Sequence, residues 1–264
     1  MGYDGSIKFD TGMDFNGFQK DANKFTSIVK GLGVFEILKK GFNAVVSSID
    51  GAVARYDTLN KFPKVLEKMG YSANQAGAAT KELSDGVQGL PTTLDDIVSN
   101  TQQLVSVTGD LGKSTKLALA LNDAFLASGS SSQDAARGTT QYIQMLSKGK
   151  VDMQSWMTLQ ETMTYGLDTV AKSFGFAGSS ARTDFYEALK SGEITFDQFS
   201  DRLIELDSGV GGFAEMAKTS TGGIATAWTN MKTAIVRGTT SIITSIDKAC
   251  PEQNSAALKT LSRR

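Results

Sequence analysis

At 264 residues with 40 % hydrophobic side chains, the chain is long enough for one large domain or two ordinary ones, each with a buried core. Its 27 basic and 28 acidic residues leave a net charge of −1, so no strong field draws it to nucleic acid or to an anionic membrane, and no specific nucleic-acid binding is expected. With no histidine and a single cysteine, Cys250, it is excluded from Ser-His-Asp, Cys-His and HExxH chemistry and from any intramolecular disulfide.

Residues 1–30 read as a lead-in segment. The opening MGYDGSIKFD is polar and acidic, without a basic region followed by an apolar run, so it does not read as a secretory signal and synthesis in the cytoplasm is expected. Ser6-Ile7-Lys8-Phe9 is the one strand candidate, too short to form a sheet without a partner strand.

Residues 31–59 hold the clearest amphipathic helix. Phe35, Leu38, Phe42, Val45, Ile49 and Val53 recur every three or four positions and form the expected helix-packing or partner interface. Glu36, Lys39, Lys40, Asp50 and Arg55 interrupt the apolar run, which makes a bilayer span costly. Packing against other helices is the expectation, with a partner groove or a membrane surface as the alternatives.

Residues 60–210 read as a compact helical domain of shorter segments, in an array of about eight to ten helices. Prolines occur only at Pro63, Pro91 and Pro251, so long stretches are free of proline interruption. Predicted helix starts are Thr93, Ser114, Asp152, and Thr195 with Gln198 as a capping box; Gly70, Gly109, Gly129, Gly149, Gly178 and Gly192 fall where helices should end. Residues 211–247 are expected to form a second long helix, with Ile224, Trp228, Met231, Ile235, Ile242 and Ile246 as its apolar positions, and 248–264, ending ACPEQNSAALKTLSRR, reads as a flexible tail. The fold class expected is mainly α: a multi-helix array with long amphipathic helices at both ends and one short amino-terminal strand.

None of the motifs along the way carries chemistry. Gly109-Asp110-Leu111-Gly112-Lys113-Ser114 is similar to a phosphate-binding loop, but Val107 stands where the first glycine belongs and the preceding residues read as helix rather than strand. Ser191-Gly192-Glu193-Ile194 has the glycine and isoleucine of a calcium loop with too few carboxylates around them. The pairs Asp95-Asp96 and Asp197-Asp201 read as solvated helix faces or complements to a helix dipole. Trp156, Trp228 and the nine methionines read as core. The expectation is a non-enzymatic protein with no catalytic, cofactor-binding or metal-ligating residue.

Five stretches occur in a telling order: DGSIKFDTGMDFNGFQKDANKF, YDTLNKFPKVLEKMGYS, GLPTTLDDIV, SGSSSQDAARGTTQYIQMLSKGKVDMQSWMTLQET, and EALKSGEITFDQFSDRLIEL through TSTGGIATAWTNMKTAI. Together, over residues 4–247, they resemble the amino-terminal region of tail tape-measure proteins of long-tailed bacteriophages and prophages of Gram-positive bacteria. The resemblance implies a largely helical protein of the virion tail lumen, with coiled-coil character, around which tail-tube subunits polymerise and whose length sets tail length. It further implies tail assembly chaperones as partners in the host cytoplasm and a role in DNA ejection with contact to the host membrane; self-association is a separate expectation. A helical residue adds about 1.5 Å, so even a fully extended helix of this chain would span only about 400 Å. The family resemblance stops near Asp247, and the divergent end looks like a truncated or frame-shifted gene, or a fragment. The alternative reading is a helical envelope-interacting or membrane-active phage-derived protein that uses the 32–56 and 223–247 helices.

Overall fold

The computed structural model describes residues 54–220, together with 236, 237 and 240. The chain divides into two units, Met1–Ser47 and Ser48–Arg264, and every described residue lies in the second. Among the described residues all regular structure is helical. In order these helices are α1 (54–68), α2 (Ala73–Gly86), α3 (Leu94–Thr108), α4 (Leu111–Ala127), α5 (Ser132–Lys148), α6 (Met153–Thr162), α7 (Thr164–Ser173), α8 (Ala181–Ser191), α9 (Phe196–Asp207) and α10 (Phe213–Ser220).

Local chemistry sets most of the boundaries. Thr93 caps α3 by accepting from the Asp96 amide, and Asp152 caps α6 by accepting from that of Ser155. Thr195 and Gln198 form a reciprocal capping box at α9, so two amides that the first turn would leave unpaired are satisfied. Gly109, Gly149 and Gly192 close α3, α5 and α8 in the left-handed conformation.

The organising element is α4. Its sequence LALALNDAFLA is apolar on every side, and each residue from Leu117 to Ala127 is buried. A helix of that kind is stable only inside a shell of others. Here the shell is α2, α3, α5, α7, α9 and α10. The crossing with α5 depends on Gly138: a Cβ there would stand 2.3 Å from the Phe125 ring and 2.7 Å from the Thr162 hydroxyl. Any side chain would push the two helices apart.

A second dense region joins α5, α6, α8 and α9. The Phe185 ring meets Phe199 edge-on at 5.1 Å and Trp156 at 5.7 Å, and stacks on Phe174 at 5.6 Å. Tyr142 lies edge-on to Phe199 at 5.3 Å, and its hydroxyl is 2.7 Å from that of Ser200. Arg55 donates to the Ser84 hydroxyl at 2.6 Å and Arg237 to the Ser84 carbonyl at 3.0 Å. The start of α1 and the segment at Val236 thus close on the same carboxyl-terminal end of α2, where unpaired helix carbonyls favour cations.

Several expectations are corrected. Ser114 does not begin a helix: Asp110 is the cap of α4, and Ser114 lies one turn inside, buried, with its hydroxyl 2.7 Å from that of Thr108. Leu111 wins because its side chain is core, which pulls the helix start forward to the aspartate before it. Gly175, not Gly178, follows the end of α7; Gly178 lies in the link to α8. Long helices at both ends are not part of the described fold. The one expected over 31–59 is described only from residue 54, and α1 runs on to 68 with Pro63 inside it. Pro63 has no amide proton for the Leu59 carbonyl, and the burial of Phe62 and Leu66 offsets that loss. The segment expected as a helix over 211–247 opens with a turn and the eight-residue α10; past Ser220 only 236, 237 and 240 are described, all helical. Residues 6–9, expected as a strand, lie outside the described residues.

Candidate functional site

Two places in the helical body concentrate polar chemistry. The first is a surface groove of about 590 Å³ where the α3–α4 turn faces the α8–α9 turn. Val107, Leu146, Leu189 and Ile194 supply apolar wall, and Asp110, Lys113 and Asp197 the polar part. The two segments compared in the sequence with a phosphate loop and a calcium loop therefore face one another. Lys113 Nζ is held at 2.9 Å by Asp197 and at 2.7 Å by Asp201, so its charge is met within the protein. Partial burial pulls Lys113 down, but the two carboxylates outweigh it and keep it above the ordinary lysine value. No group of three potential metal ligands occurs among the described residues.

The second place is a pair of carboxyls of which Asp123 is buried in the core and Asp207 half-buried at its edge. Asp123 sits in the apolar stretch of α4, only 4 % exposed, and faces Asp207 at the last position of α9. The two side chains are within hydrogen-bonding reach of each other. The Asn122 amide donates to Asp123 Oδ1 at 2.9 Å, while Asn122 Oδ1 accepts from the Thr92 hydroxyl at 2.5 Å. Asp207 Oδ1 is buried without a donor. Loss of solvation, reinforced by the Asp207 charge, pushes Asp123 up to about 7. Loss of solvation also raises Asp207 to about 6, against the pull of Asp123 and of Lys218 on α10. The carboxyls titrate as one unit that holds a proton well above the pH at which free aspartates lose theirs.

Sequence reasoning passed over both aspartates. The available signal was Asp123 itself, a lone acid inside LALALNDAFLA, because a charge in a helix that is apolar all round must have a partner or a proton. Nothing local marks Asp207 as that partner. The acids that the sequence did single out have plain structural roles: Asp95 accepts from Thr58, Asp96 from the cap Thr93, and Asp197 with Asp201 holds Lys113. Trp156 is buried against Phe185 and Tyr186, and Met145 and Met163 are core, whereas Met153 and Met157 stand 53 % and 52 % exposed one turn apart on α6. The expected interface positions Phe35, Leu38, Phe42, Val45, Ile49 and Val53 lie outside the described residues, as does Trp228.

Among the described residues no helix is long and apolar enough to cross a membrane. No curated protein and no solved structure matches the chain. A family model described as tape measure protein matches residues 50–244, the span that holds α1 to α10 and both polar sites. That match covers well over half of the 264 residues, and the chain belongs to the tape measure protein family.

Proposed function

We infer that the chain works as a phage tail tape-measure protein, a structural element on which tail-tube subunits assemble and which takes part in setting tail length. The observation that carries this reading is the family match across residues 50–244. The described helices support a division of labour. A residue in a continuous helix adds about 1.5 Å along the axis, whereas α2, α3, α5, α7, α9 and α10 fold back around α4, so residues 73–220 contribute a body rather than contour length. That body is a docking module, and its partners are tail-tube subunits and tail assembly chaperones. The protein occupies the host cytoplasm during assembly and the tail lumen afterwards, from which it assists DNA delivery across the host envelope. The apolar stripe Phe35, Leu38, Phe42, Val45, Ile49 and Val53 is the surface that a partner chain or a second copy covers.

Co-expression with a tail-tube subunit and tail assembly chaperones tests the reading. Tubes of narrow length distribution and co-purification of the partners are expected with the full chain; tubes of unchanged, broad length and no co-purification would overturn it. Replacing Phe42 and Ile49 together by aspartate is expected to abolish partner capture while α2–α10 stays folded by circular dichroism. Undiminished capture would remove the stripe from the interface.

A further inference from the structure

We propose that Asp123 and Asp207 form a proton-operated latch that holds α10 against the central helix α4 in mildly acidic solution and loosens it as the pH rises. Asp123 is fixed in the buried stretch of α4, and Asp207 ends α9. From Asp207 the chain passes through the turn 208–212 directly into α10. That turn is folded hard onto Asp207: a Cβ on Gly212 would stand 2.6 Å from the Asp207 carbonyl oxygen, and Gly209 and Gly211 take φ values of 102° and 75° that other residues rarely adopt. Asp207 therefore cannot move away from Asp123 without dragging the start of α10. On its far side α10 is held by Phe213, edge-on to Tyr165 at 6.4 Å, and by Ala217, packed with Leu90 and Leu126. Phe213 and Ala217 are both buried and α10 packs closely on α4, so the acid pair modulates a contact that apolar packing already makes.

Among the described residues, the charged groups acting on the pair are Asp123 from α4, Asp207 from α9 and Lys218 from α10, with Asn122 the neutral donor and Thr92 behind it. One shared proton lets one carboxyl donate to the other. When that proton leaves, two negative charges face each other, one on the buried Asp123 and one on the half-buried Asp207, whose Oδ1 is buried without a donor. Both groups hold protons more tightly folded than unfolded, near about 3.9 for a free aspartate. The stabilisation is complete below that value, is lost as pH climbs through the folded values of about 6 and about 7, and stays lost above them. Each pH unit in this window is worth up to about a factor of ten in the opening equilibrium per proton released.

Amide hydrogen exchange on the full chain, corrected for the intrinsic pH dependence of exchange, tests the latch, with α3 as internal reference. Protection of Phe213–Ser220 is expected to fall by about tenfold or more from pH 5 to pH 8 while that of Leu94–Thr108 stays level. Asp207→Asn is expected to lessen the slope, leaving only the titration that burial gives Asp123 alone, and Asp123→Asn to lessen it likewise. A flat profile for α10 in the unaltered chain overturns the latch however the variants behave, and so does an undiminished slope in Asp207→Asn. The outcome does not depend on whether the protein is found in a phage tail.

Discussion

Helix α9 has its two ends in different regions of the same interior. Its first turns carry Phe196, Phe199 and Ser200 into the aromatic cluster of α5, α6 and α8, where the buried polar groups are matched: Tyr142 pairs with Ser200, and Ser200 donates onward to the Phe196 carbonyl at 2.7 Å. Its last residue carries Asp207 to Asp123, where two acids share too few donors. Burial is nearly complete at Tyr142 and at Asp123, so the difference comes from satisfaction rather than depth. A matched hydroxyl pair ties elements together at any ordinary pH, and an unmatched acid pair makes stability a function of protons.

The largest effect should come from the aromatic end. Phe185→Ala removes a ring that touches Trp156, Phe174, Phe176 and Phe199, and the cavity left among rigid rings cannot collapse. A loss of about 3–5 kcal/mol is expected, read from urea unfolding, and it should be the same at pH 5 and pH 8. A loss that depends strongly on pH would mean that the two regions are not energetically separate.

The acid end should respond with the opposite sign. The unaltered chain is expected to be less stable at pH 8 than at pH 5, and Asp123→Asn to gain about 1–3 kcal/mol at pH 8 by removing a buried charge while keeping the shape. At pH 5 the gain should be smaller, because most of the window between about 3.9 and about 7 lies above that pH. Destabilisation at pH 8 would show that the Asp123 charge is paired better than its surroundings indicate.

How much of this contrast could be read from the sequence depends on how local each signal is. Thr93, Asp152, and Thr195 with Gln198 were legible because a cap is decided within four residues. The split between α6 and α7 was not, because it falls at the buried Met163, with neither glycine nor proline to mark it. Asp110 and Ser114 are both good caps on the same turn, and only the burial of Leu111 chooses between them. The groove was half legible: both of its turns stood out as motif-like, but nothing in either predicts that Lys113 meets Asp197. The acid pair is further from view still, since its partners come from α4 and α9 and are brought together only by the packing of the whole body.

A smaller test compares hydroxyl with carboxyl. Ser200 donates to Phe196, so the Tyr142 hydroxyl is the donor to Ser200. Tyr142→Phe removes that donor and leaves Ser200 with its own bond intact, so a loss of about 0.5–1.5 kcal/mol is expected. Removing polarity should thus cost stability at the aromatic end and add it, above pH 7, at the acid end. Equal signs in thermal melts at pH 8 would break the comparison.

The smallest effect is expected at Lys113, which adds an ion pair at the surface to the two interior cases. Its Nζ is shared between Asp197 and Asp201, whose side chains are 80 % and 58 % exposed. Water replaces the lysine readily at such carboxylates, and both already lie in the first two turns of α9, where the helix dipole favours negative charge. Lys113→Met keeps most of the apolar stem against the groove wall and removes only the charge. The expected loss is below about 1 kcal/mol at low salt and is expected to fade toward zero in about 1 M salt, where screening acts within about 3 Å. Denaturant midpoints at both salt concentrations measure it. A loss of several kcal/mol that survives high salt would place Lys113 with the matched interior pairs rather than at the surface, and would make the groove a keystone of the fold.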